Sequence, residues 1–140
     1  MSSDLRVIHY LNQFFGGIGG EDKASERPQV KEGLVGMGKV VQDALMNRGQ
    51  IVATVICGDN YFVENTEEAS EEVFHMMTRY KPDMIIAGPA FNAGRYGIAC
   101  GEVCKIGREK LDIPAVTGMY VENPGVDLYK RDLYIVKTAE

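Results

Sequence analysis

Short apolar runs rich in β-branched residues recur along this chain, separated by longer stretches with helical spacing, and that alternation restricts the fold more than any other feature. Residues 5–11 (LRVIHYL), 51–57 (IVATVIC), 83–87 (DMIIA), 113–117 (IPAVT) and 133–136 (LYIV) read as strands, several of them apolar nearly throughout, as strands covered on both faces are. Between them, residues 36–49 read as a helix with a stripe of Val40, Val41, Ala44 and Leu45 and Gly49 as its stop. A second helix starts at Asn65 or Thr66, carries Glu67 and Glu68 in its first turn, and buries Ala69, Val73, Met76, Met77 and Tyr80. Arg79 and Lys81 lie near its end and Pro82 marks the exit; residues 96–111 form a third helix. Strands alternating with helices imply right-handed βαβ crossovers. The expected fold is therefore a three-layer, doubly wound α/β domain over residues 1–140, with about five mostly parallel strands and helices on both faces.

Charge and composition remove whole classes. A net charge of -5 without any basic stripe excludes a general nucleic-acid binder, which needs clustered Lys and Arg on phosphate. No apolar run approaches the roughly 20 residues that span a bilayer, so no membrane role is expected. The opening Met1, Ser2, Ser3 and Asp4 carries neither a basic nor an apolar leader segment, and three cysteines do not make a disulfide framework. A reducing cytoplasm is the expected address. The sequence is compatible with a homo-oligomer and does not specify one.

In open α/β sheets, ligands bind beyond the carboxyl ends of the strands. Here those ends lead into Asn12, Gln13, Phe14, Phe15 and glycines; into Cys57-Gly58-Asp59-Asn60; into Gly88-Pro89-Ala90-Phe91-Asn92-Ala93-Gly94-Arg95; and into Glu122-Asn123-Pro124-Gly125. Residues 12–35 form the longest irregular region, a length that in a compact domain points to function or disorder. The convergence of amides, charges and aromatics predicts a site for a small polar ligand. Turn-forming is the plainer role for the same glycines and asparagines. Arg95, at a strand-to-helix junction, has the planar fork that suits a substrate carboxylate, or else pairs with a nearby acid on the surface. Cys57, ending a strand at the presumed site, is the candidate nucleophile, provided a cation or helix terminus lowers its pKa from about 8.5.

Other motifs lead to less. The cluster Gly16, Gly17, Gly19, Gly20 lacks the G-x-G-x-x-G spacing, and Glu21 and Asp22 would repel a pyrophosphate. Cys100 and Cys104 share a helix face at i and i+4 but are only half of a zinc site, so no metal is expected, and such thiols are commonly small buried residues. His9 and His75 have no Ser or Cys partner nearby in sequence, which leaves a hydrolase triad unsupported.

Four stretches in order, HYLNQFFGGIGGEDKA (residues 9–24), VATVICGDNYFVEN (52–65), AGPAFNAGRYGIACGEVCK (87–105) and VTGMYVENPGVD (116–127), carry a closer likeness. They resemble the N-terminal part of the protein B selenoproteins of the glycine, sarcosine and betaine reductases. The resemblance implies a place in the substrate-activating component of a reductive deaminase found in amino-acid-fermenting anaerobes. Its partners would be a pyruvoyl-containing subunit, selenoprotein A and a small amino-acid substrate, with acetyl phosphate formed by a further component. The nucleophile it implies is a selenocysteine in a later part of the family's full-length protein; no cofactor is expected within these 140 residues, and the chain by itself is expected to be inactive. Displacement beside a carboxylate needs an anion holder and a positioned amine. Arg95, Asn60, Asn92 and Asn123 are the expected polar contacts, with Asp59 or Glu122 for the ammonium. The alternative is a stand-alone ligand-binding or assembly domain of the same ancestry, without catalysis.

Overall fold

The structure, a computed structural model, describes residues 5–140; Met1 to Asp4, read above as carrying no leader segment, lie outside them. One six-stranded sheet runs through it, with β1 (Leu5–Asn12), β2 (Gln29–Glu32), β3 (Gly49–Cys57), β4 (Met84–Phe91), β5 (Ala115–Tyr120) and β6 (Tyr134–Thr138). The order is β2-β3-β1-β4-β5-β6, and every neighbouring pair is parallel except β2 on β3. The expected mostly parallel α/β sheet is present. β2 is the strand that sequence reading missed: it lies in the segment read as irregular, just after Pro28, and pairs antiparallel from Gln29 opposite Ile56 to Glu32 opposite Ala53. Four residues at a sheet edge, half of them exposed, carry too little apolar alternation to be seen in sequence.

The helices are α1 (Gly38–Leu45), α2 (Asp59–Glu64), α3 (Thr66–Thr78), α4 (Gly94–Glu109) and α5 (Pro124–Tyr129). α1 is shorter than the expected 36–49: Met46 turns to φ 56°, which ends the helix, and Gly49 opens β3 instead of stopping α1. Neither α2 nor α5 was expected. For α5 the signal was present, since Asn123 accepts a hydrogen bond from the Gly125 N–H at 2.9 Å and Pro124 follows in the first turn. Asn65 and Thr66 do not cap α3; their side chains bond back to the Tyr61 and Phe62 carbonyls of α2. β4 runs four residues beyond the expected 83–87, through Gly88 and Pro89 to Phe91, with a shift in its register on β5.

The main core lies between the sheet and α2–α5. Ile8 and Tyr10 of β1, Val55 and Cys57 of β3, Ile85 and Ala87 of β4 and Met119 of β5 meet Phe62, Val73, Met77, Tyr96 and Val103 there, all essentially sealed from solvent. α4 occupies the centre of that face, and Cys100 and Cys104 are fully buried on it as small apolar residues. Glycine permits the contact with α5: a Cβ on Gly101 would collide with the Tyr129 ring. The opposite face carries α1, whose Gly38 backs onto His9 and Ile51. Of α1's residues only Gly38 is buried, and Val40 is 65% exposed.

Candidate functional site

The direction of winding reverses at β1. From β1 the chain passes to β3 on one side, then crosses to β4 on the other, and the loops leaving β1 and β4 diverge. Such a switch point opens a crevice at the strands' carboxyl ends. A crevice of about 500 Å³ lies there, walled by Asn12, Gln13, Phe14 and Phe15 after β1, Glu21, Asp59 at the start of α2, and Arg95 and Tyr96 at the start of α4.

Asp59 is its central group. The side chain is 5% exposed, and its Oδ2 accepts a hydrogen bond from the Asn12 amide at 2.9 Å. Asn12 Oδ1 in turn accepts from the Phe15 N–H at 2.9 Å, and Gln13 Oε1 accepts from the Asp59 N–H at 3.1 Å. Tyr10 and Leu11 are buried at the end of β1 and the chain leaves the core at Asn12, so the Asn12-Gln13 pair is placed where it can hold the start of α2. Asp59 Oδ1 has no hydrogen-bond partner among the described residues. Burial pushes the carboxyl up to about 6; the Asn12 hydrogen bond and the Arg95 charge work against that shift, and Glu21 adds to it. An aromatic wall closes one side, with Phe15 stacked on Tyr96 at 5.8 Å between ring centroids and Phe14 edge-on to Phe15 at 5.2 Å.

Of the two roles foreseen for Arg95, the structure shows the pairing with a nearby acid. Arg95 lies in the crevice, donates to the Asn60 side-chain oxygen, and pairs with Glu21 at 2.6 Å. Both members of the ion pair are substantially exposed, so its strength is that of a surface pair and a competing anion can displace it. Glu21 comes from the glycine-rich loop, which folds as a series of turns: the Gly16 N–H bonds to the Asn12 carbonyl, and the Ile18 and Gly19 N–H groups bond to the Gln13 carbonyl.

The structure thus brings Asp59, Asn60 and Arg95 together. Asn92 and Glu122 are exposed and line no part of this crevice. Asn123 is buried and acts as a strut: besides capping α5, its amide donates to the Phe91 and Ala93 carbonyls at 2.9 and 3.0 Å, joining the β4–α4 and β5–α5 loops. Cys57 is buried in the core, its Sγ 3.5 Å from the Gly58 carbonyl oxygen, and burial pushes the thiol up to about 12, so it stays protonated at neutral pH. Asn12, Gln13 and Glu21 are the site residues that loop position alone did not single out. The signal for the first two was a polar amide pair directly after the apolar Tyr10-Leu11 end of a strand.

No group of three or more His, Cys, Asp or Glu among the described residues is placed to hold a metal ion. Among those residues, no helix is long and apolar enough to cross a membrane.

The family model for glycine/sarcosine/betaine reductase selenoprotein B matches residues 4–140. The chain belongs to this family. It is 56% identical over 136 residues to the glycine reductase complex component B subunit gamma of Carboxydothermus hydrogenoformans, a match covering 97% of this chain and 31% of the relative. It is 54% identical to the sarcosine reductase complex component B subunit beta of Peptoclostridium acidaminophilum, over 96% of this chain and 31% of the relative. The betaine reductase complex component B subunit beta of the same organism is 44% identical, over 94% of this chain and 30% of the relative. The chain therefore spans about a third of the length of these relatives. No solved structure matches.

Proposed function

We propose that this chain forms part of the substrate pocket of component B in a glycine, sarcosine or betaine reductase, binding a small amino acid in the Asp59–Arg95 crevice. The single observation that carries the reading is the buried Asp59 carboxylate, held by Asn12 on one oxygen and without a partner on the other, in a crevice that also holds Arg95. A buried acceptor left without a donor is costly. The ammonium of glycine or sarcosine supplies that donor, whereas the trimethylammonium of betaine brings charge alone; in each case the charge favours the ionised carboxylate. The substrate carboxylate takes the Arg95 fork in place of Glu21, with Asn60 fixing the guanidinium plane. Opposite charges at the two ends of a small zwitterion thus meet opposite charges in the crevice, which orients its α-carbon.

The relatives' names place them in multi-subunit reductase complexes. By the resemblance, the selenocysteine of the longer polypeptide supplies the nucleophile, and a pyruvoyl subunit and selenoprotein A act with it. The three cysteines of this chain are buried, which fits a nucleophile brought from outside these residues. What these residues contribute is binding, orientation and a carboxyl group whose pKa lies close to neutral pH.

Calorimetry with glycine, sarcosine and betaine on this chain and on Asp59→Asn and Arg95→Ala tests the reading. Binding of at least one of the three, weakened about tenfold or more in each variant, is expected for a charge-assisted contact of roughly 1.5–3 kcal/mol. Binding that both variants retain at full strength would refute it.

A further inference from the structure

The two faces of the sheet are not equally covered. α2–α5 seal one, while on the other α1 packs chiefly on β3 and leaves β4, β5 and β6 open beside it. On that open face Ile86 of β4 stands opposite Val116 of β5, and Val136 of β6 stands opposite Gly118 of β5. Together with Val40 and Val41 of α1 they line a groove of about 440 Å³ whose walls are almost wholly apolar. Val40 is 65% and Val136 45% exposed, in a chain whose net charge is -5. An apolar groove on the flat of a parallel sheet is unusual, because such sheets are buried on both faces.

We infer that this groove seats an amphipathic α-helix, contributed by the part of the family polypeptide that lies outside the 140 residues, packed beside α1 across β4, β5 and β6. Three observations select that occupant. First, the winding rule does: the step from β1 to β3 runs toward the β2 edge with α1 on the open face, and the outward steps from β3 to β6 place α3, α4 and α5 on the other. With α2–α5 covering the other face, a segment that leaves β6 and turns back over the sheet finds uncovered apolar surface on α1's face. Second, β6 contributes Val136 and Thr138 to the groove's rim, so polypeptide continuing from β6 starts at its edge. Third, about two thirds of each relative's length lies outside the match, ample for such a helix. Neither Asp59 nor Arg95 lines this groove, so the inference does not depend on the reading of the crevice.

Thiol labelling tests it. The native Cys57, Cys100 and Cys104 are buried, so in this chain an introduced thiol is the accessible one and the silence of the native thiols reports that the fold is intact; in the longer chains the rate is read on the peptide that carries the introduced thiol, by mass spectrometry. Val116→Cys in the groove and Leu128→Cys, a 60% exposed control on α5, are compared for their rate of reaction with a maleimide. Each is made in this chain, in this chain continued by the remaining two thirds of the Carboxydothermus subunit, and at the aligned position of that subunit's own full-length chain. The groove thiol is expected to react about tenfold or more slowly in the longer chains, with the control unchanged, as buried positions do when exposure requires local opening. Equal rates at the groove position in a folded longer chain would overturn the proposal. Protection already present in the 140-residue chain and rising with its concentration would assign the groove to a second copy, and would overturn it as well.

Discussion

Asn12, the last residue of β1, donates its side-chain amide to Asp59, the first residue of α2, at 2.9 Å across 47 positions of sequence. That bond ties the end of β1 to the helix that follows β3 through one carboxyl group. It satisfies Oδ2 and leaves Oδ1 with no donor among the described residues. A carboxyl so placed links stability, pH and ligand binding.

The pH dependence has a definite sign. Asp59 titrates at about 6 in the folded chain against an ordinary 3.8, so the folded state holds a proton that the unfolded state has lost between those values. The stabilisation from the neutral form is fully present below pH 3.8 and is lost as pH rises through 6. A shift of this size corresponds to at most about 3 kcal/mol. Asp59→Asn should therefore match the parent near pH 4 and exceed its stability at pH 8. Urea unfolding across that range reads it directly; parallel curves for the two proteins would sink the assignment.

Removing the clamp should act in the other direction. Asn12→Ala deprives Asp59 of the donor that favours its charged form and the Phe15 N–H of its acceptor. A loss of about 1–3 kcal/mol is expected, larger at pH 8 than at pH 5 because the donor serves the ionised carboxylate. An equal loss at both pH values would show that Asn12 acts on backbone geometry alone.

Asn123 should be structural. Asn123→Asp keeps an acceptor for the Gly125 N–H but loses both donors to the Phe91 and Ala93 carbonyls, whereas Asn123→Ala loses all three bonds. Both variants should be destabilised, by about 1–3 kcal/mol for the alanine. If either one instead kept full thermal stability and abolished amino-acid binding, Asn123 would belong in the pocket.

The cysteines should be inert in the folded chain. With Cys57 and Cys104 each pushed up to about 12 and all three thiols buried, alkylation by iodoacetamide at pH 8 should wait on unfolding. Rapid modification of Cys57 in native protein, followed by mass spectrometry, would restore it as a nucleophile candidate.

Much of this was legible in sequence because burial writes itself into periodicity. β3 is an apolar run because both its faces are covered, with Val55 and Cys57 in the main core and Ile56 equally buried on the other face, and α3 shows its Ala69, Val73, Met77 stripe. β2 was invisible because an edge strand of four residues needs little apolar character, and α2 because six residues give no period. For the site, the switch-point rule located the crevice, and charge chemistry picked Asp59 and Arg95 from it. It could not rank Asn92 and Glu122 below Asn12 and Gln13. That order depends on which loop residues turn inward, and Asn12 turns inward because it is still part of the sheet while Asn92 has left it. Cys57 looked exposed at a strand end, but the chain continues directly into α2, and Tyr10 and Phe62 share its core.

The central claim is that Asp59 meets the ammonium of a small amino acid, and its carboxyl ¹³C resonance, titrated with and without glycine, sarcosine or betaine, tests that most directly. The account predicts a midpoint near 6 in the free chain that falls toward 3.8 on binding at least one of the three, as a new cation favours the charged form. A midpoint that stays near 6 while the amino acid is demonstrably bound would contradict it.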